Sequence, residues 1–454
     1  MNLSHALRLE KIAREEIRTA LVGAGGKTSA MFRLARELLS PVMVTASTHL
    51  GEWQIALADQ HRVIRSPDDL RISATELKGI TLLTGEQMDG QRVKGLDLQT
   101  LSIVKELADQ HRWPIILEAD GSRQCPVKAP AEHEPVIPEW TRQVVVVAGL
   151  SALGRDIAPE TVHRADRYAR LAGQLIGTTI TEESMVRVLL HSEGGMARIP
   201  PGARRFALLN QADQQNTMDA GLRMARNLIQ GDRENRFHSV VISSLANPDP
   251  VHFVVEPTAG IILAGGSSTR FGAPKILVEW RGKPLIRHVV ETALAAGLQP
   301  VTVVLGAVTD LAVQVLDGLP VQFAFNPNWA EGQSTSLRAG LRSITSQGVG
   351  AAVFLLADQP FVSPGVIQAL CLEHARSLAP IIAPQVNGRR ANPVLFDQAT
   401  FEELLSIQGD VGGRALFQKF LPKHLPWPDK RLLLDLDTLQ DYENLLRMDN
   451  DDLS

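Results

Sequence analysis

Two glycine-rich stretches in this chain carry residue types that can hold phosphate. The first, Gly23-Ala24-Gly25-Gly26-Lys27-Thr28-Ser29, follows the apolar run TALV and opens an amphipathic segment. Its glycines let backbone N–H groups wrap phosphate oxygens, Lys27 supplies charge to the terminal phosphates, and the Thr28 hydroxyl suits Mg²⁺. A strict P-loop needs glycine at position 21, where Leu21 stands, so this loop is shorter than the standard form. The second stretch runs from Leu263-Ala264-Gly265-Gly266 through Ser267, Ser268, Thr269 and Arg270 to Lys275. Its glycines permit close backbone approach to a nucleoside triphosphate. Arg270 and Lys275 can neutralise that triphosphate and support pyrophosphate as it leaves. There is no G-x-G-x-x-G, and the basic pair suits transfer chemistry better than a resting dinucleotide.

Each stretch reads as strand, glycine loop, helix, the order in which an α/β sheet builds a phosphate site at a helix N-terminus. Between and after them, short β-branched runs (PVMVTAST, PIILEAD, QVVVVAGL, RFALLN, SVVISSL, then QPVTVVLGA, AAVFLLAD, PIIAP) alternate with helical patterns. That alternation predicts parallel sheets with helices on both faces. The expected fold is α/β, two doubly wound domains: a P-loop NTPase-like domain over 1–250, a linker over 251–258 in the Pro-rich ANPDPVHFVVEPTAG, and a Rossmann-like domain over 259–454.

Composition narrows the function classes. The 454 residues are 44% hydrophobic and 21% charged, which suits two or three globular domains and excludes a mainly disordered chain. A net charge of -4 leaves no global basic field for nucleic acid or an acidic membrane, so anionic ligands must be held by local sites. Two cysteines, Cys125 and Cys371, are too few for a disulfide framework. No apolar run reaches the roughly 18 residues of a spanning helix, and the first residues lack the apolar core of a signal peptide. A cytoplasmic setting is expected.

Further residues fall in the order that a P-loop GTPase uses. PIILEAD ends an apolar strand with Glu118 and Asp120, placed to hold Mg²⁺ directly or through water. RFALLNQAD ends another with Asn210-Gln211-Ala212-Asp213, close to the Asn-Lys-x-Asp element that reads guanine, with Gln211 in place of the lysine. GTP is the expected ligand. The segment EADGSRQCPVKAPAEHEPVIP is dense in proline and charge for a short connection. With GAGGKTS, GLSALG, VHR and LNQAD, it resembles the YqeC family over roughly residues 8–250. The resemblance implies an accessory or selenium-cofactor role for molybdenum hydroxylases, with a hydroxylase apoenzyme as partner. Cys125 is not read as a selenium-handling thiol, and His49, His133 and His163 are read first as ordinary hydrogen-bonding residues.

The second stretch matches the LxxGxSxRxGxxK signature of MobA-like nucleotidyltransferases, and downstream segments bring it nearest to molybdenum-cofactor cytidylyltransferases (MocA-like). This implies a GT-A-like nucleotidyltransferase domain in which Leu263, Ala264, Gly265, Gly266 and Ser268 face the nucleotide. Asp358 of FLLADQP is implied as a Mg²⁺ ligand, with Asp437, or Asp435 two residues earlier, as the second carboxylate. Gly332 and Ser336 fall near nucleotide or pterin, and Arg389, Arg390 and Asn392 near an anionic pterin phosphate. LAGG leans toward guanylyl transfer, while APK and GRRANPVLF lean toward cytidylyl transfer. The expected reaction is transfer of CMP from CTP to molybdopterin with release of pyrophosphate, with Arg270, Lys275 and Asp358 catalytic. The rivals are GMP transfer or a sugar-phosphate acceptor, with the first domain a cofactor carrier or insertion module that does not hydrolyse nucleotide.

Overall fold

A computed structural model describes residues 1–454 except 74–75, 89–90, 232–235, 267–270, 272–273 and 453–454, and the side chains of 448–452. Two compact units divide the chain, Met1–Val255 and Glu256–Ser454.

The first unit is built on nine strands: β1 Arg18–Gly23, β2 Val42–Ala46, β3 Gln60–Val63, β4 Ile80–Thr84, β5 Ile115–Glu118, β6 Gln143–Gly149, β7 Arg204–Asn210, β8 Ser239–Ser243 and β9 Val251–Val255. Their spatial order is β9-β8-β7-β6-β1-β5-β2-β4-β3. The pairs are parallel except β8 with β9, which is antiparallel. Central strands such as RTALV, VMVTA and VVVVA are buried residue after residue, as a parallel sheet covered on both faces requires. Helix α1, Lys27–Glu37, starts directly after the glycine loop, with Gly26 as its N-cap and no side chain capping it. Helix α2, Gln215–Leu228, follows β7.

Most of the segment expected as a linker, 251–258, is strand. Val251–Val255 pairs with β8 as an edge of the first sheet, and Thr258 already begins the next strand. Pro250 and Pro257 punctuate this strand without breaking it, because VHFVV between them is β-branched and half-buried.

The second unit has β10 Thr258–Ala264, β11 Val301–Leu305, β12 Gln322–Phe325, β13 Ala351–Leu356, β14 Ile381–Val386, β15 Arg389–Arg390, β16 Val394–Asp397 and β17 Lys423–Pro426. The order β12-β11-β10-β13-β16-β14 is parallel from β12 through β13 and antiparallel at β16, while β15 and β17 both pair with β14. Alternate residues of β10 enter two separate cores. Ile262 packs with helices α3 (Leu285–Ala295) and α5 (Pro364–Ser377), whereas Ile261 packs with α4 (Gln333–Ile344). Helices therefore cover both faces of this sheet.

The loop after β1 exists only because its glycines have no side chain. Gly23, Gly25 and Gly26 have φ of 94°, 84° and 133°. A Cβ on Gly25 would lie 2.5 Å from the Gly149 nitrogen and 2.6 Å from the Pro126 carbonyl oxygen, both rigid backbone atoms. Gly177 also has a positive φ, 81°, but nothing lies near its missing Cβ. We therefore expect Gly25→Ala to cost about 3 kcal/mol or more and Gly177→Ala only about 1–2 kcal/mol. Urea unfolding of the two variants checks this, and equal losses would contradict the close-packing argument.

Candidate functional site

In the first unit, the residues from Gly25 to Ser29 line a cleft of about 680 Å³ at the carboxyl ends of the parallel strands. Ligands of open α/β sheets bind at this edge. The uncapped first turn of α1 leaves its N–H groups to face a bound anion. Lys27 is buried, with its Nζ 2.7 Å from the Gly23 carbonyl, 3.2 Å from Asp120 and 3.6 Å from Glu118. Burial pulls its pKa down, but the charges of Asp120 and Glu118 outweigh that and raise it, so it remains cationic. Burial also raises the pKa of Glu118, against the pull of Lys27. The Thr28 hydroxyl lies 3.4 Å from Glu118.

Asp120 is the hinge of a longer chain of buried charge. Its oxygens accept from the Gly23 N–H at 3.0 and 3.1 Å and from Lys128 at 2.8 Å. Lys128 also reaches Glu134 at 2.9 Å, and Glu134 takes Arg164 through two bonds of 2.8 Å each. The series Lys27, Asp120, Lys128, Glu134, Arg164 thus ties the glycine loop to the EADGSRQCPVKAPAEHEP segment and to VHR. A two-stranded ribbon, Val127–Lys128 paired with Val162–His163, fixes the middle of this series. Sequence reasoning assigned no role to Lys128, Glu134 or Arg164. The density of charge in their motifs was the signal, and only the fold shows which charges meet.

The Asn-Gln-Ala-Asp element divides. Asn210 donates to the Gly25 carbonyl at 2.7 Å and accepts from the Leu245 N–H at 3.0 Å, so its amide braces the glycine loop. Gln211 lines the cleft and accepts from Ser151, while Asp213 is exposed and does not line it. His49 and His163 line the cleft, and His133 is exposed outside it. Cys125 lines the cleft, but burial raises the pKa of its thiol, as expected of an unreactive cysteine.

In the second unit, Leu263, Ala264, Gly265, Gly266, Lys275, Gly332, Ser336 and Asp358 line one cleft of about 540 Å³. Asp358 stands two residues beyond β13, the strand paired directly with β10, so the two strand ends face each other. Lys275 bridges Asp358 at 2.5 Å and Asp437 at 3.1 Å. Burial lowers the pKa of Lys275, but these two carboxylates outweigh it and raise the net value. Asp435 instead takes the Gln359 amide. A Cβ on Gly265 would lie 2.8 Å from the Ser336 hydroxyl, which accepts from Asn326 at 2.9 Å, and Trp329 packs against Gly306 beside it. Ser268 and Arg270 lie outside the described residues. Arg389, Arg390 and Asn392 are not among the described residues lining this cleft, and Arg390 stacks on Phe417 at 4.4 Å.

The buried charges give acid sensitivity a definite sign. Burial alone would raise the Glu134 carboxyl, but Arg164 and Lys128 bring it down to about 2. Burial, with Arg164 and Lys128 beside it, lowers His163 to about 4 from its usual 6.5. The unfolded chain binds a proton at His163 that the folded one refuses, so this contribution to stability is lost as pH falls from 6.5 to 4. We expect His163→Asn to remove about one proton from the pH dependence of unfolding in that window. Melting curves of the full chain across it provide the check, and an unchanged slope would contradict the environment described for His163.

Comparison with known proteins follows the same division of the chain. Residues 19–166 match the family described as YqeC protein, and residues 260–425 match the MobA-like NTP transferase domain. The uncharacterized protein YqeC of Escherichia coli (strain K12) is 32% identical over 224 residues, 47% of this chain and 84% of that protein. The purine catabolism protein PucB of Bacillus subtilis (strain 168) is 30% identical over 200 residues, 41% of this chain and 95% of that protein. A probable molybdenum cofactor guanylyltransferase of Bacillus mycoides (strain KBAB4) is 31% identical over 132 residues, 29% of this chain and 64% of that protein. The chain therefore belongs to the YqeC family through its first unit and to the MobA-like NTP transferases, a nucleotidyltransferase family, through its second.

Proposed function

We propose that the second unit transfers CMP from CTP to molybdopterin and releases pyrophosphate. The observation that carries this is the bridge from Lys275 to Asp358 and Asp437, set in a cleft lined by Gly265, Gly266 and Ser336. A terminal phosphate oxygen of the acceptor attacks the α-phosphorus in line, and the bond to the β-phosphate oxygen breaks. A phosphate nucleophile is already ionised, so no strong base is needed, and catalysis is positioning and charge stabilisation. Lys275 stays cationic and stabilises the leaving pyrophosphate, with Arg270 as its proposed helper. Asp358 and Asp437 are hard oxygen donors brought to one cation, a set that suits Mg²⁺. Magnesium held there would supply neutralising charge to the triphosphate. Arg389, Arg390 and Asn392 are proposed to receive the acceptor phosphate.

GTP as donor is the second reading. It is favoured by the unsubstituted Gly265 beside Ser336 and by the relative named as a guanylyltransferase. For the first unit we propose nucleoside triphosphate binding at Gly23 to Ser29, with Thr28 and Asp120 or Glu118 toward Mg²⁺. Exposed Asp213 is the residue proposed to meet guanine. The setting proposed is the cytoplasm, in the maturation of a molybdenum hydroxylase; no described helix is long and apolar enough to cross a membrane.

Asp358→Ala removes a carboxylate from the Lys275 bridge without opening the core. Nucleotidyl transfer should fall at least about 100-fold, near 2.7 kcal/mol of transition-state stabilisation, with little change in melting. Pyrophosphate release with CTP, GTP, ATP and UTP, with molybdopterin as acceptor, measures both points. Turnover within tenfold of wild type at saturating Mg²⁺ would remove the role of Asp358, and release with GTP but not CTP would replace the donor.

A further inference from the structure

The cleft of the first unit is lined well beyond the glycine loop. The sheet order β7-β6-β1-β5-β2 puts Asn210, the last residue of β7, and Asp213 beyond it on one flank of the glycine loop. The cleft extends to the other flank, over the ends of β5 and β2, where Arg123 and Trp53 line it. Trp53 is 58% exposed, whereas Trp113 and Trp280 are 4% and 5% exposed. A Cβ on Gly51 would lie 2.5 Å from its indole Nε1, so one edge of the ring rests on backbone while the ring lines the cleft. Arg92 is the strand partner of Gly51 and lines the same wall.

The acids at this cleft already have partners: Glu118 meets Lys27, and Glu52, beside Trp53, takes the Gln87 amide. Arg92 and Arg123 form no salt bridge to a carboxylate among the described residues, and Glu134 is engaged by Lys128 and Arg164. Arg123 and Gln124 hold φ of 48° and 62°, a conformation that residues with side chains rarely adopt and that clusters at ligand sites. An exposed indole and two guanidiniums without a salt bridge, lining one cleft, have the chemistry to stack a flat ring and pair its negative charge.

We infer that the flank between the glycine loop and Trp53 is a second ligand site, for a small planar heteroaromatic anion bearing a carboxylate or phosphate. Trp53 stacks the ring, and Arg92 and Arg123 take the anionic group. Arg164, held by Glu134, lines the same cleft as the glycine loop, so the anion would share that cleft with a nucleotide's phosphates. That adjacency rests on the proposed phosphate site, but the binding itself does not.

The test is fluorescence titration of the full chain with pterin-6-carboxylate, with and without saturating GDP and Mg²⁺. Wild type should bind the probe in both conditions. Trp53→Ala and Arg123→Gln should each weaken it at least about fivefold, and Trp53→Phe should stay within about twofold. Trp53 and Arg123 are exposed, so both variants keep the fold, which circular dichroism confirms before titration. Unchanged affinity in both variants would place the probe elsewhere and overturn the inference, as would no binding by wild type. Competition by GDP would make Trp53 the platform of the nucleotide itself and would also overturn it. Calorimetry with GDP alone reports the glycine-loop reading separately, so probe binding without GDP binding sinks that reading and spares this one.

Discussion

A lysine held between two carboxylates at the carboxyl end of a parallel sheet is the interaction on which both units depend. In the first unit Lys27 meets Asp120 and Glu118, and in the second Lys275 meets Asp358 and Asp437. The construction is shared except for Asp437, which comes from a later segment and not from the neighbouring strand end. One strand ends in glycines, the parallel strand beside it ends in acid, and the lysine stands on the segment that follows the glycines. Parallel pairing brings the two carboxyl ends level, so the acid and the glycine loop meet without any long-range folding of loops.

The two clamps differ in their surroundings. Lys27 and Asp120 are each 2% exposed and continue into Lys128 and Glu134, whereas Lys275 and Asp358 are 18% and 17% exposed and open to a cleft. Buried charge costs desolvation that only close pairing offsets, so a buried series of alternating sign behaves as one object. That couples the glycine loop of the first unit to Arg164 through contacts with little freedom to adjust. The second clamp, being wetter, can exchange a carboxylate for a phosphate or a metal at smaller cost.

Much of this was legible in the sequence where one residue type could do one thing. The glycine loops, the strand-end acids and the two-unit α/β organisation follow from local pattern. Asp358 and Asp437 stand 79 positions apart, yet both were singled out, and the fold brings them to one ammonium. What local pattern could not supply was partner choice. Asn210 looked like a base reader because it ends a strand before Asp213, but its amide is spent on Gly25 across the sheet. Lys128 and Glu134 lie inside the proline- and charge-rich EADGSRQCPVKAPAEHEPVIP segment, and their meaning depends on a ribbon formed with Val162–His163. The strand 251–255 was hidden by the prolines around it, which signal a break in sequence while permitting an edge strand in space.

On the proposed reading, each unit carries its own nucleoside phosphate site, governed by its own clamped lysine. Calorimetric titration of the full chain with non-hydrolysable triphosphates and Mg²⁺ tests it directly when repeated on Lys27→Ala and on Lys275→Ala. Two sites are expected in the wild type, with loss of one in the first variant and of the other in the second, each remaining site unchanged in affinity. A single site in the wild type, or one variant that abolishes both, would contradict it.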